Sequence, residues 1–187
     1  PVMSGSSILP MDLRQANLAY GSPEYMTAGL GASDYFRSIG IPSWIGAGCS
    51  DSHQFDTQAA AEAGANLAIA ALASTPFVHN LGFLSGGRTG SLQMLALCDE
   101  LVGWSGKMAN GVEVTADSVA LEVVKRAVAN NDYLTDEHTQ QRFMTETWYP
   151  GLCERSDADA WLEAGAVDMT ARVNQRLHEI LGASASG

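Results

Sequence analysis

The sequence predicts an α/β fold assembled from β-loop-α units, and three observations carry that prediction. Three short apolar runs each end in a glycine-rich, polar loop. Each loop leads into a helix-like segment. From Thr115 onward the strand-like runs stop and only helical periodicity remains. Such units are the parts of an eight-fold (β/α) barrel, of which three or four make half, and a doubly wound parallel sheet has the same rhythm. In both architectures the long loops leave the C-terminal ends of the strands, where ligands bind.

The first apolar run lies around Val2–Leu9, the second is Ser43–Gly48 (SWIGAG) and the third is Pro76–Leu81 (PFVHNL). The segment Pro23–Ile39 reads as the first helix, with Ser22 as N-cap, proline in the first turn and Gly40 in the C′ position. Asp56–Ser74 is almost all alanine on one side, with Gln58, Glu62 and Asn66 spaced four apart along the other. Ser91–Trp104 follows the third loop. Ala116–Ala129 places Ala120, Val123, Val124, Ala127 and Val128 on one face. Asp136–Phe143 starts after Thr135, with Thr135 and His138 in near-capping-box spacing. The last helix, Asp157–Leu181, repeats Leu162, Ala166, Met169, Val173, Leu177 and Ile180, a stripe that covers a core or a subunit interface.

Composition narrows the class. Hydrophobic residues make up 46% and charged residues 17%, which a packed core needs and a disordered chain lacks. The formal charge of −11 argues against nucleic acid or an anionic membrane as partner, because both need a basic face. Cys49, Cys98 and Cys153 are odd in number and far apart, so no disulfide framework is expected and a cytoplasmic location is. No apolar run reaches the roughly 18 residues of a membrane helix. The chain opens at Pro1, with no methionine, directly on a strand-like run, and is expected to be a piece of a longer protein.

The densest polar cluster runs from Cys49 to Gln58 and holds Asp51, His53, Asp56 and Gln58. It leaves a buried strand and opens a helix, where two carboxylates and an imidazole can hold a cation or move a proton. Equally, Asp56 can simply cap the helix. His79 and Asn80 end the third strand and face the same end of the sheet. Asp12 and Arg14 lie in the first loop, where Arg14 either clamps a substrate carboxylate or pairs with Asp12. Tyr20, Tyr25, Trp44 and Phe55 lie near these loops and can form an aromatic cage for a quaternary ammonium. The loop Ser85–Gly90 (SGGRTG) can cradle a phosphate but lacks the lysine of a P-loop. Cysteine and histidine spacing does not suit zinc, and no metal is expected.

Six stretches, taken together and in order, resemble the trimethylamine methyltransferase family, which includes glycine betaine methyltransferases. They are SSILPMDLRQANLAYGSPEY, GAGCSDSHQFDTQA, HNLGFLSGGRTGSLQMLALCDELVGW, NGVEVTADSVALEVV, YLTDEHTQQRF and WLEAGAVDMTARVNQRLHEIL. The resemblance implies the C-terminal half of a (β/α)8 TIM barrel followed by a C-terminal helical extension. The implied organisation is partial barrel units over 1–114, the extension over 115–181 and a disordered tail over 182–187. It also implies methyl transfer from a methylated amine to the cobalt of a corrinoid carried by a separate small protein. Within that reaction, substrate binding falls to Asp51, His53, Asp56, Gln58, Asp12, Arg14, His79 and Asn80. No pyrrolysine is written in the chain, unlike the members that demethylate trimethylamine, which points to quaternary amines. Position 53, often lysine in relatives, is His53 here.

Half a barrel would leave open sheet edges, so the isolated piece is expected to be a homo-oligomer and inactive. Two other readings belong to different classes. One is a methylamine- or betaine-binding module without turnover. The other is a barrel lyase or isomerase working through Asp51 and His53, which a bound divalent metal or phosphate would favour.

Overall fold

Strands and helices alternate as the sequence predicts, around a small parallel sheet. The computed structural model describes residues 2–5 and 8–184. The chain forms two compact units, one from Asn110 to Tyr149 and the other from the flanking segments Pro1–Ala109 and Pro150–Gly187.

In the larger unit, β1 (Ser4–Gly5), β4 (Ser43–Gly46) and β5 (Phe77–His79) form a three-stranded parallel sheet in the order β1-β4-β5. Two antiparallel hairpins interrupt the loops: β2 (Met11–Asp12) with β3 (Asn17–Leu18), and β6 (Phe83–Leu84) with β7 (Thr89–Gly90). Helix α1 (Pro23–Ser38) links β1 to β4, α2 (Thr57–Leu72) links β4 to β5, and α3 (Leu92–Ala109) follows β7. The expected stop signals operate at α1. The Ser22 hydroxyl accepts the Tyr25 N–H, and Gly40 takes φ +71° just past the end.

Alternation along β4 and β5 sorts the sheet into two faces. Ile45 and Val78, in register, lie in the core with Ala59, Ala63 and Leu67 of α2 and Leu97, Cys98 and Leu101 of α3. Ala59, Ala63 and Ala70 of α2 are almost wholly buried, and their small side chains let α2 and α3 pack closely. Trp44, Gly46, Phe77 and His79 occupy the opposite face, where Phe77 stays 56% exposed. Among the described residues β1 and β5 each keep one edge without a partner strand.

The smaller unit holds α4 (Ala116–Val119), α5 (Leu121–Asn130) and α6 (Glu137–Glu146). The single helix expected over Ala116–Ala129 breaks at Ala120, which adopts φ +50°. A capping box between Thr115 and Ser118 starts α4. The expected Thr135–His138 box does not form. Asp132 accepts the Thr135 hydroxyl and N–H, and Asp136 caps α6 by accepting the His138 N–H at 3.0 Å. Of the expected apolar stripe Ala127 is buried, while Val128 is 68% exposed.

The last predicted helix is two: α7 (Ala158–Glu163) and α8 (Met169–Ser184). Gly165 at φ +93° and Ala166 at φ +52° turn the chain, their N–H groups bonding back to Leu162 and Trp161 carbonyls. The Asp168 side chain then accepts the Ala171 N–H and restarts the helix. Gly182–Ser184, expected in the tail, are helical; the remainder of that tail, 185–187, lies outside the described residues. Among the described residues no helix is long and apolar enough to cross a membrane.

The return of the chain to the larger unit is fastened by charge. Glu100 on α3 accepts the N–H groups of Gly151, Leu152 and Cys153 at 2.9–3.0 Å. Arg172 on α8 donates to the Leu152 carbonyl at 2.7 Å, beside Val173, which is fully buried. Partial burial pushes the Glu100 pKa up, but these N–H donors outweigh it and hold the group below the usual glutamate value. A depressed carboxyl adds stability that is complete above the unfolded pKa of about 4.3 and lost as pH falls through the lower folded value. Glu100→Gln should therefore melt at a lower temperature than wild type at pH 7. The gap should narrow as thermal melts are taken down through the acid range. Parallel acid profiles would show that the Glu100 carboxylate does not fasten this segment.

Candidate functional site

Three loops leave the C-terminal ends of β1, β4 and β5 and meet over a shared set of backbone hydrogen bonds. The middle loop, 47–56, is the hub. Ala47, Cys49 and Ser50 are fully buried, so its backbone groups need partners inside the protein. The third loop supplies several: Gly82 N donates to Gly48 O (2.9 Å), Ser50 N to Phe83 O (3.0 Å), and Ser85 N to Ser52 O (2.8 Å).

Helix α2 supplies the rest through the polar residues spaced four apart. Asn66 accepts the Gly48 N–H at 2.6 Å and donates to the Cys49 carbonyl at 3.1 Å. Glu62 Oε2 accepts the Ser50 hydroxyl at 2.6 Å and the Asp51 N–H at 2.8 Å, while its Oε1 accepts from Gln58 at 2.8 Å. Asp51 in turn ties down the first loop, accepting the N–H groups of Tyr20 at 2.8 Å and Gly21 at 2.9 Å. The Tyr20 ring stands edge-on to Tyr25, with centroids 5.6 Å apart, and lies against Gly87. Gly87 sits at φ +80°, which favours glycine, and a Cβ there would also come within 3.3 Å of that ring, a tight approach.

The remaining sequence candidates take definite places. Asp12 and Arg14 pair with each other at 2.7 Å on the surface of the first hairpin, and the guanidinium hydrogen bond is the main cause that lowers the Asp12 pKa to about 2. Asp56 caps α2 through the Ala59 N–H at 2.9 Å, which also lowers its pKa, and accepts from Ser52. Gln58 reaches the loops only through Glu62. The exposed His53 lies 3.1 Å from the Ser85 hydroxyl, Nδ1 to Oγ. Phe55 packs against the core.

His79 and Asn80 form a second polar group on the open sheet face. Nδ1 of His79 lies 2.8 Å from Asn80 Oδ1, and the imidazole stands edge-on to Trp44 with centroids 4.3 Å apart. His79 Nε2 is shut off from solvent and has no hydrogen-bond partner among the described residues. A Cβ at Gly46 would fall 2.0 Å from the Tyr25 hydroxyl and 2.9 Å from the Asn80 amide nitrogen, so this glycine is what lets them meet.

Burial pushes the Tyr25 hydroxyl up to about 12, and burial together with the nearby Asp51 does the same for the Cys49 thiol. Both therefore stay protonated at neutral pH, and Cys49 is no nucleophile. The phosphate-cradle idea for Ser85–Gly90 does not hold, because the N–H groups of Ser85, Gly86 and Arg88 are spent on protein carbonyls. Arg88 itself reaches across to the Asn17 side chain at 3.0 Å. Among the described residues no group of three His, Cys, Asp or Glu is placed to hold a metal ion. What the loops bring together is two carboxylates, Asp51 and Glu62, beside the Tyr20 and Tyr25 rings, with the exposed imidazole of His53 on the same middle loop. Sequence reasoning noted the spacing of Gln58, Glu62 and Asn66 but not that it serves the loop. The signal was there, since polar residues four apart on a buried helix need internal partners.

The model of the family described as trimethylamine methyltransferase (MTTB) matches residues 1–186. The chain is 30% identical to a glycine betaine methyltransferase of Desulfitobacterium hafniense, over 97% of this chain and 38% of that protein. It is 29% identical to the trimethylamine methyltransferase MttB of the same species, over 97% of this chain and 36% of that protein. To the trimethylamine methyltransferase MttB of Methanosarcina barkeri it is 25% identical, over 96% and 36%. The chain thus spans little more than a third of the length of these relatives.

Asp51→Ala should leave the Tyr20 and Gly21 N–H groups without acceptors and destabilise the protein by about 1–3 kcal/mol. Denaturant titration checks this, and a change within about 0.5 kcal/mol would mean that water replaces the carboxylate at no cost.

Proposed function

The chain belongs to the trimethylamine methyltransferase family, and from that premise we propose that the protein transfers a methyl group from a methylated amine to the cobalt of a corrinoid carried by a separate small protein. The supporting observation is the mouth where the three loops meet. Asp51 and Glu62 hold fixed negative charge beside Tyr20 and Tyr25, which suits a methylated ammonium.

A quaternary ammonium such as glycine betaine is the favoured substrate. The C–N bond breaks with its electron pair going to nitrogen, so the amine leaves neutral and needs no proton. No proton donor is called for at the reacting nitrogen, and burial keeps the Tyr25 hydroxyl and the Cys49 thiol protonated. The corrinoid supplies the cobalt nucleophile that receives the methyl group. The chain's own part is to bind the cation, fix its direction and keep water away, which are orientation and desolvation effects.

The architecture proposed for the whole protein is a (β/α)8 barrel, of which this chain forms the C-terminal half. Two features support it: a parallel sheet with a partnerless edge on each side, and an inner face where Trp44, Phe77 and His79 await cover. On this reading the chain by itself associates into oligomers through those edges and has no activity, and the protein works in the cytoplasm.

The test uses the full-length protein with its corrinoid partner reduced and glycine betaine added, followed by the visible spectrum of the corrinoid. Conversion that depends on both protein and amine is the expected result. No spectral change with betaine, other quaternary amines or trimethylamine would overturn the transferase reading and leave an amine-binding module.

A further inference from the structure

We propose that Glu62, whose oxygens accept from the middle loop and from Gln58, is the positioning residue that sets the geometry of the amine-binding mouth; this rests on the methylamine reading above. The inference comes from a relay of two carboxylates. Glu62 fixes the middle loop by accepting both the Ser50 hydroxyl and the Asp51 N–H on one oxygen. Asp51, so held, presents its side chain to the Tyr20 and Gly21 N–H groups and fixes the first loop. Tyr20 then stands between Tyr25 and Gly87.

Three facts say that this is a fitted arrangement and not a chance surface contact. A Cβ at Gly21 would fall 2.2 Å from Glu62 Oε2, so the first loop passes directly over that carboxylate and a side chain there would push it aside. Among the described residues neither Asp51 nor Glu62 makes an ion pair, and N–H and O–H donors alone hold them. Finally, Gln58 occupies the other Glu62 oxygen and restricts the side chain's rotation. The position of an aromatic wall on the first loop thus depends on a helix side chain whose hydrogen bonds reach that loop through Asp51. A quaternary ammonium, lacking N–H groups, is recognised by such walls and by fixed charge, so its affinity follows the relay.

Reach and charge separate in two variants of the full-length protein. Glu62→Asp keeps the charge but draws the acceptor back by one methylene, whereas Glu62→Gln keeps the reach and loses the charge. Amide hydrogen exchange is read at Tyr20 and Gly21, whose N–H groups bond to Asp51 and not to Glu62, and at Leu97 and Leu101 in α3. Tetramethylammonium binding is measured by calorimetry. In Glu62→Asp the Tyr20 and Gly21 amides should exchange about tenfold faster or more, with the α3 amides unchanged, and tetramethylammonium should bind about tenfold more weakly. Glu62→Gln should keep wild-type protection.

Unchanged exchange at Tyr20 and Gly21 in Glu62→Asp would overturn the proposal. So would faster exchange shared equally with α3, or equal damage in both variants, which would make the effect one of stability or charge. If the exchange pattern appears but wild type does not bind tetramethylammonium or glycine betaine, Glu62 stands as the loop's positioning residue and the methylamine reading falls.

Discussion

Everything at the mouth depends on one constraint: a buried loop must find a partner for each of its backbone polar groups. The segment from Ala47 to Ser52 leaves the sheet and stays almost entirely out of water. A loop in that position is affordable only if neighbouring elements carry the right acceptors and donors. Helix α2 does so on one side with Asn66 and Glu62, and the third loop does so on the other with its own backbone. Asp51 is then left with a side chain free to organise the first loop. The geometry of the candidate site is therefore a by-product of satisfying the loop beneath it.

Much of the fold was legible because local rules decide it. Ser22, Pro23 and Gly40 bracket α1, and Asp56 caps α2, as their side-chain chemistry requires. The three parallel strands follow from apolar runs bounded by glycine. The rest was hidden for physical reasons. The breaks at Ala120 and Ala166 place alanine in the left-handed region, which residue type does not announce. Asp136 outcompeted Thr135 as a cap because Asp132 captures the threonine. At the site, the sequence drew attention to the right loops, yet it could not say which carboxylate faces backbone and which faces open space. That depends on hydrogen bonds between residues 11 to 31 positions apart.

The two faces of the sheet have opposite characters, and this shapes how the site is to be viewed. Ile45 and Val78 are packed beneath helices, while Trp44 and His79 stand on a face that the described residues leave partly open. The His79 Nε2, which has no partner among the described residues, belongs to that second face. Buried polar atoms without partners are rare enough to mark places where a structure expects something more. The relatives are more than twice as long, and in the proposed barrel that extra chain covers this face.

The clasp between α2 and the middle loop also has a bearing on the order of assembly. Its hydrogen bonds join residues 11 to 18 positions apart, whereas Cys98 reaches Gly48 across 50. Closing a short loop costs less entropy than closing a long one. On that ground the loop and its helix are a low-contact-order unit that settles early, before α3 and the third loop dock. The chemistry-bearing turn would then be shaped while most of the protein is still unfolded, and pulse-labelled exchange of the Gly48 and Asp51 amides during refolding reads that order directly.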